Sequence, residues 1–240
     1  ITGSYIPQDI HVVTTVVQGH DIDLSNSVSS HLLLGAGKNG NGTSQLDNSL
    51  AGGKGNDVIF GGEGDNYLRG NEVHDYIVGG SGKDIISGGE GNDTIYGGGG
   101  DDFIMGDSGN DFINAGSGEN TIYGGQGADT FAWNKDSLGG KDIIGDFIPA
   151  DGDKLSFTNL LSQGESLDAF FAEHIKGVTF DGTNSLAFTI TDDGLSRDVQ
   201  IAFSPTDPQF AAVVDAYNAA SSVAEETQVL TSFLLSITTH

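Results

Sequence analysis

From Gly52 to Ala132 an apolar residue returns at every ninth position: Ile59, Leu68, Ile77, Ile86, Ile95, Ile104, Ile113, Ile122 and Phe131. The stretch divides without insertion into nine nonapeptides, GGKGNDVIF, GGEGDNYLR, GNEVHDYIV, GGSGKDIIS, GGEGNDTIY, GGGGDDFIM, GDSGNDFIN, AGSGENTIY and GGQGADTFA. The last three residues of each predict a short strand whose central, eighth-position side chain points inward. The first six predict a turn, because glycine admits positive φ and lets backbone carbonyls converge. One such unit buries nothing alone, so the units must stack, with the eighth-position side chains as a continuous core. The predicted fold class is therefore all-β: a right-handed parallel β-roll, a nonapeptide solenoid, closed by a mixed α/β C-terminal cap.

Two nonapeptides make one 18-residue coil, so alternate repeats share a side. The sixth position is Asp in seven repeats and Asn in two. One side then stacks Asp57, Asp75, Asp93, Asp111 and Asp129. The other stacks Asn66, Asp84, Asp102 and Asn120, with Asn48 above them in a degenerate repeat that starts at Thr43 and puts Leu50 in the eighth slot.

The flanks carry weaker patterns. Val12–Val17 reads as a strand, and 1–42 as a lead-in strand and N-terminal cap, or the tail of a preceding domain, before a roll at 43–132. The remainder, 133–240, reads as a cap, since an open roll would expose its last coil. Its expected elements are a helix at Leu167–Ile175, strands near Val178–Phe180, Leu186–Thr191 and Val199–Phe203, a helix from Gln209 to Ala220, and an amphipathic stretch at Glu225–Ser236.

Charge turns this architecture into a chemical problem. With 34 Asp+Glu against 9 Lys+Arg, the formal net charge is −25, which argues against nucleic acid or an anionic membrane as partner. Coils lie about 4.8 Å apart, where two carboxylates repel by roughly 3–4 kcal/mol at an effective dielectric near 20. Stacked Asp rows therefore need a counterion. A hard divalent cation held by carboxylate and carbonyl oxygens removes the repulsion, and Ca²⁺ suits many flexible oxygen ligands better than Mg²⁺ does. The chain has no cysteine, hence no disulfide or thiolate site. No apolar run is long enough to span a bilayer, so membrane insertion is not expected. The chain begins at Ile1 rather than at a start methionine and without a signal peptide, which points to a piece of something longer.

The GGxGxDxUx pattern resembles the RTX (repeats-in-toxin) family, whose repeat is a calcium-binding β-helix unit. That resemblance implies Ca²⁺ ions between successive turns, held by sixth-position carboxylates and by carbonyls of positions one to four. Carried over, the metal ligands are Asp57, Asp75, Asp93, Asp111, Asp129, Asp84, Asp102, Asn66 and Asn120. The carbonyls are those of Gly53, Gly55, Gly80, Gly82, Gly89, Gly91, Gly98, Gly100 and Gly109. The third repeat departs from the pattern, with Asn71 and Val73 in place of glycines and His74 before Asp75, which predicts a distorted turn. The segment from Asp142 to Leu155 resembles the D-x-I-x-D-F…D-K-L stretch that closes such rolls; Asp142 is either a last metal ligand or a capping turn residue. The C-terminal region resembles the target region of RTX proteins exported by the type I secretion machinery. The resemblance thus implies a secreted or cell-surface calcium-binding module, part of a larger protein such as a surface adhesin. Alternatives are the C-terminal module of a secreted hydrolase, or a roll that itself binds a ligand or ice.

Catalytic motifs do not survive inspection, and no enzyme activity is expected. GDSGN at 106–110 resembles a serine-protease nucleophile loop but lies in register with the repeat. Gly35–Gly40 matches G-x-G-x-x-G with no amphipathic helix after it, and Gly82-Lys83 lacks the Ser/Thr of a phosphate loop. The six histidines have no zinc spacing. The third positions Lys54, Glu63, Glu72, Ser81 and Glu90 form no threonine ladder of the kind an ice-binding face needs.

Overall fold

Every nonapeptide contributes one extended segment, and the ladder partner of each residue lies eighteen residues along the chain. A computed structural model describes the backbone of residues 10–14 and all of 21–35 and 47–239. The first strands are β1 (Ile10–Thr14), β2 (Asp21–Asp23), β3 (Ser30–Leu34) and β4 (Ser49–Ala51). Then come β5 (Val58–Glu63), β6 (Tyr67–Glu72), β7 (Tyr76–Ser81), β8 (Ile85–Glu90), β9 (Thr94–Gly99) and β10 (Phe103–Ser108). The roll ends with β11 (Phe112–Gln126), which runs through two repeats, and β12 (Thr130–Ala132). All ladders among them are parallel: β1–β3–β5–β7–β9–β11–β12 forms one wall and β2–β4–β6–β8–β10–β11 the other.

The core is the expected stack. Ile59, Ile77, Ile95, Ile113 and Phe131 line one wall and Leu68, Ile86, Ile104 and Ile122 the other, all buried. It extends upstream, because Leu33 pairs with Ile59 and Leu50 with Leu68. Of the N-terminal expectations, residues 15–17 of the predicted strand, 36–40 of the glycine motif and the start of the repeat at 43–46 lie outside the described residues.

The strands are longer than predicted, six residues rather than three. Past the inward eighth side chain the ladder continues into the next repeat, as in Gly62↔Gly80 and Glu63↔Ser81. The first-position glycine faces inward and is buried, and the second keeps its pairing while taking a positive φ, 110° at Gly98. The third repeat is not distorted. Asn71 (φ 85°) and Val73 (φ 65°) adopt the glycine conformation, and Asn71 pairs with Gly89 in register. Asp107 (φ 76°) does the same within GDSGN, so Ser108 is a roll residue. A β-branched residue at positive φ is strained. Val73→Gly should therefore raise the thermal midpoint of the calcium-loaded protein by the equivalent of about 1 kcal/mol; an unchanged or lower midpoint would show that Val73 is unstrained.

The cap consists of β13 (Gly140–Phe147), β14 (Lys154–Ser156), α1 (Leu167–His174), β15 (Ile175–Phe180), β16 (Ser185–Asp192), β17 (Leu195–Phe203), α2 (Pro208–Ala219), α3 (Val223–Ser236) and β18 (Thr238–Thr239). It is built directly onto the two walls. β13 adds in parallel to β11 and β17 to β13, while β14 adds to β12 and β18 to β14. The antiparallel run β15–β16–β17 then turns the sheet away from the solenoid. Phe131, Phe147, Phe203 and Phe210 carry the core across the junction, with Phe203 and Phe210 stacked at 4.1 Å. Each helix starts at a side chain that accepts a backbone N–H (Ser166, Asp207 and Ser222), which satisfies otherwise orphaned donors. Among the described residues no helix is long and apolar enough to cross a membrane.

Candidate metal centre

The sixth-position residues lie on the two sides as the register requires, buried beneath the turns. Each forms a rung of a hydrogen-bond ladder. The backbone N–H of Asp57 donates to Asp75 Oδ1 at 2.7 Å, Asp75 to Asp93 at 2.7 Å, Asp93 to Asp111 at 2.8 Å and Asp111 to Asp129 at 2.9 Å. On the other side Asn66 donates to Asp84 at 2.8 Å, Asp84 to Asp102 at 2.9 Å and Asp102 to Asn120 at 3.0 Å. One carboxylate oxygen per residue is thereby used.

The other oxygen decides what the rows require. Oδ2 of Asp75, Asp93, Asp111, Asp129, Asp84 and Asp102 is buried without a hydrogen-bond partner. Native interiors do not leave six such atoms bare, because each costs about 1–3 kcal/mol, more if charged. At Gly70, Gly79, Gly88, Gly97 and Gly106 an added Cβ would collide with Oδ2 of its own repeat and with a first-position carbonyl oxygen of the next coil. Glycine there keeps open a place where a carboxylate and a carbonyl oxygen converge with no proton between them. An all-oxygen, partly anionic donor set fits a hard cation of the Ca²⁺ type.

The remaining predicted ligands are distributed differently. The carbonyls of Gly80, Gly82, Gly91, Gly98, Gly100 and Gly109 face the residue eighteen positions on, stacked coil over coil along the turns. Gly89 sits in the ladder between Asn71 and Asp107, the Gly53 carbonyl accepts from Glu72 N–H at 3.0 Å, and Gly55 lies against the Ser29–Ser30 backbone. Asp57, at the start of its row, has both oxygens engaged, by His31 and by Gly53 N–H at 2.6 Å. Asn66 and Asn120 have their side-chain oxygens engaged. Asn66 Oδ1 accepts from Asn48, and its Nδ2 donates to Asp84 Oδ1 at 2.9 Å. Asn120 Oδ1 accepts from Asp102, and its Nδ2 reaches Asp142 Oδ1 at 2.8 Å. Asp142 continues the row, but Asn120, Trp133 Nε1 (2.8 Å) and the Arg197 guanidinium bind its two oxygens.

Several participants were not foreseen. Asp153 ends the all-Asp row, accepting from Asp129 N–H at 2.9 Å and Ile148 N–H at 2.7 Å. It lies 24 residues past Asp129, so the 18-residue period misses it. Fifth-position side chains form a second, outer ladder running the other way, with Asn110 N–H on Asn92 Oδ1 and Ala128 N–H on Asn110 Oδ1, both at 2.8 Å. The frequency of Asx at that position was the available signal. Away from the roll, ligand atoms of Glu165, Glu173 and His174 lie within 4.8 Å of one another.

Burial is the main reason seven of the row carboxyls titrate high. Asp75 is pushed up to about 8, Asp102, Asp111 and Asp153 to about 7, and Asp93 and Asp129 to about 6; Asp84 is also raised. Backbone N–H donors oppose the shift, and neighbouring carboxylates such as Asp93 and Asp57 around Asp75 add to it. The metal-free folded roll thus holds more protons than the unfolded chain between about pH 4 and pH 8. Its stability is present below the unfolded carboxyl value and lost as pH rises through these folded values. Metal-depleted protein should accordingly show more strand signal by circular dichroism at pH 4.5 than at pH 7.5; the reverse order would contradict the burial of uncompensated carboxylates.

Comparison with known proteins agrees with this geometry. A family profile described as the RTX calcium-binding nonapeptide repeat (4 copies) matches residues 43–77, 69–104, 78–113 and 96–131. Residues 43–131 are thus a run of RTX calcium-binding nonapeptide repeats. The chain's roll is a calcium-binding RTX module. Among solved structures, it is similar to the solution structure of the AlgE6R3 subunit from the Azotobacter vinelandii mannuronan C5-epimerase, with 25% identity over 65% of this chain and 83% of that one and a TM-score of 0.28. It is also similar to the crystal structure of the extracellular lipase LipA from Serratia marcescens, with 16% identity over 72% of this chain and 37% of that one and a TM-score of 0.27. No curated protein sequence matches the chain.

Proposed function

We propose that this RTX chain is the calcium-folded, export-bearing part of a larger secreted protein, and that the parent is a surface adhesin. The observation that carries the calcium half is the set of six buried, partnerless carboxylate oxygens in the interior of the rows. Inside a cell Ca²⁺ is scarce, and the acidic roll stays extended, which suits passage through a narrow exporter. Outside, millimolar Ca²⁺ exceeds the roughly 10⁻⁴–10⁻³ M affinity of extracellular modules. Binding to the native state alone then becomes folding free energy. The roll acts as a stiffening element rather than a catalyst.

The export half rests on the C-terminal helices and on their family resemblance. Deleting the last sixty residues would not isolate it, because this also removes β17 and Arg197, which join the cap to β13 and Asp142. The decisive comparison uses the full chain in cells with and without a type I exporter. It should reach the medium only when the exporter is present, and a chain ending at Ser222 should stay inside. Release that is independent of the exporter would refute the export reading.

A further inference from the structure

Among the described residues Arg197 is the largest side chain buried to completion, at 0% exposure, and Lys176 is the one other Lys or Arg after Lys154. It comes from β17, whose parallel pairing with β13 sets it opposite Gly140, beside Asp142. Its guanidinium binds Asp142 Oδ1 and donates to the Gly139 carbonyl at 2.6 Å. Trp133 Nε1 takes Asp142 Oδ2, and Asn120 Nδ2 joins Oδ1. The step between Asn120 and Asp142 therefore carries no net charge once Arg197 is counted. The step between Asp84 and Asp102 carries two negative charges, and both residues have a bare Oδ2. Asp153, at the matching end of the all-Asp row, has backbone donors on both oxygens. Both C-terminal ends of the rows are thus closed by the protein's own donors, and the unpartnered oxygens are confined to the interior.

We propose that Arg197 is a built-in counterion standing where a calcium ion would otherwise close the Asn/Asp row, so that the junction of roll and cap folds at calcium concentrations too low to fold the roll. A guanidinium is permanently charged and offers a fork of donors, so it supplies counter-charge and directed bonds to oxygen without an ion from solution. In the cap Phe157 packs against Phe170, Phe171 and Phe188 and stacks on Trp133, an aromatic cluster continuous with the core of the roll that sustains the junction. Calcium-driven coils then add to a rung that already exists. This inference rests on the calcium reading of the rows.

Trp133 is the sole tryptophan and touches Asp142, so the reporter is native. Far-UV circular dichroism and Trp133 emission should be read on the same metal-depleted full chain. The expected result is loss of most strand signal while Trp133 keeps the blue-shifted, quencher-protected emission of a buried indole. Trp133 emission that shifts red and returns with the strand signal at the same Ca²⁺ concentration would overturn the proposal and leave the calcium reading standing. Strand signal indifferent to Ca²⁺ would overturn the calcium reading, and the proposal with it. Arg197→Met should make Trp133 burial calcium-dependent or abolish it, whereas Arg197→Met with Asp142→Asn, which removes both charges, should restore burial without calcium. A double variant no better than the single one would show that Arg197 acts by packing and not as a counterion.

Discussion

Asp93→Ala should lower the number of calcium ions bound and loosen the middle of the roll, whereas Asn120→Ala should leave the number unchanged. Asp93 lies at the centre of the all-Asp row. Its Oδ1 accepts from Asp75 N–H, and its Oδ2 stands bare beside Gly88 and the Gly106 carbonyl. Alanine removes an anionic ligand from two adjoining steps at once and strands the Asp75 N–H. The loss of the ladder bond alone costs about 1–3 kcal/mol, and the lost metal ligand adds to it only when calcium is present. Asn120 offers its oxygen to Asp102 N–H and its amide nitrogen to Asp142, so its alanine variant forfeits ladder bonds of about 1–3 kcal/mol in calcium and in its absence alike. Calorimetric Ca²⁺ titration separates the two. Equal losses of bound calcium in both variants would mean that the sides are wrongly assigned.

The solenoid was legible because its rule is local and repeated. A branched apolar residue at Ile77, Ile95 or Ile113 admits one inward register, and each copy reinforces the next, so the walls, the period and the two rows followed from sequence. Strand length was misjudged because glycine was read as turn. Gly62 and Gly80 remain paired in the ladder despite positive φ, since what a turn forbids to other residues a parallel ladder of glycines accommodates. The same reasoning expected a distortion at Asn71 and Val73 that the neighbouring coils do not permit.

The row ends were not legible. Asp153 and Arg197 reach the rows from outside the period, one 24 residues on and the other from a strand 55 residues past Asp142. Nothing in the spacing distinguishes them from other charged residues of the cap. Asn66 and Asn120 hold the ligand position of the motif. Only the direction of their amide groups, nitrogen toward the next carboxylate, shows that they close rows that Asp leaves open. The cap's helices were placed to within a few residues because each opens on a polar capping side chain and carries an apolar face.

Calcium withdrawal has the largest expected effect. Six buried carboxylates with bare oxygens, all raised by burial above their ordinary range, are tolerable as charged groups at neutral pH only with a counterion. Mg²⁺ is a poor substitute, since it demands a tight octahedron and gives up its waters reluctantly. The measurement is far-UV circular dichroism of the metal-depleted chain at pH 7.5, titrated in parallel with Ca²⁺ and with Mg²⁺. A cooperative gain of strand signal at Ca²⁺ concentrations up to the millimolar range, with little change from Mg²⁺, is the expected result; a full strand spectrum before any ion is added would contradict calcium-driven folding of the roll.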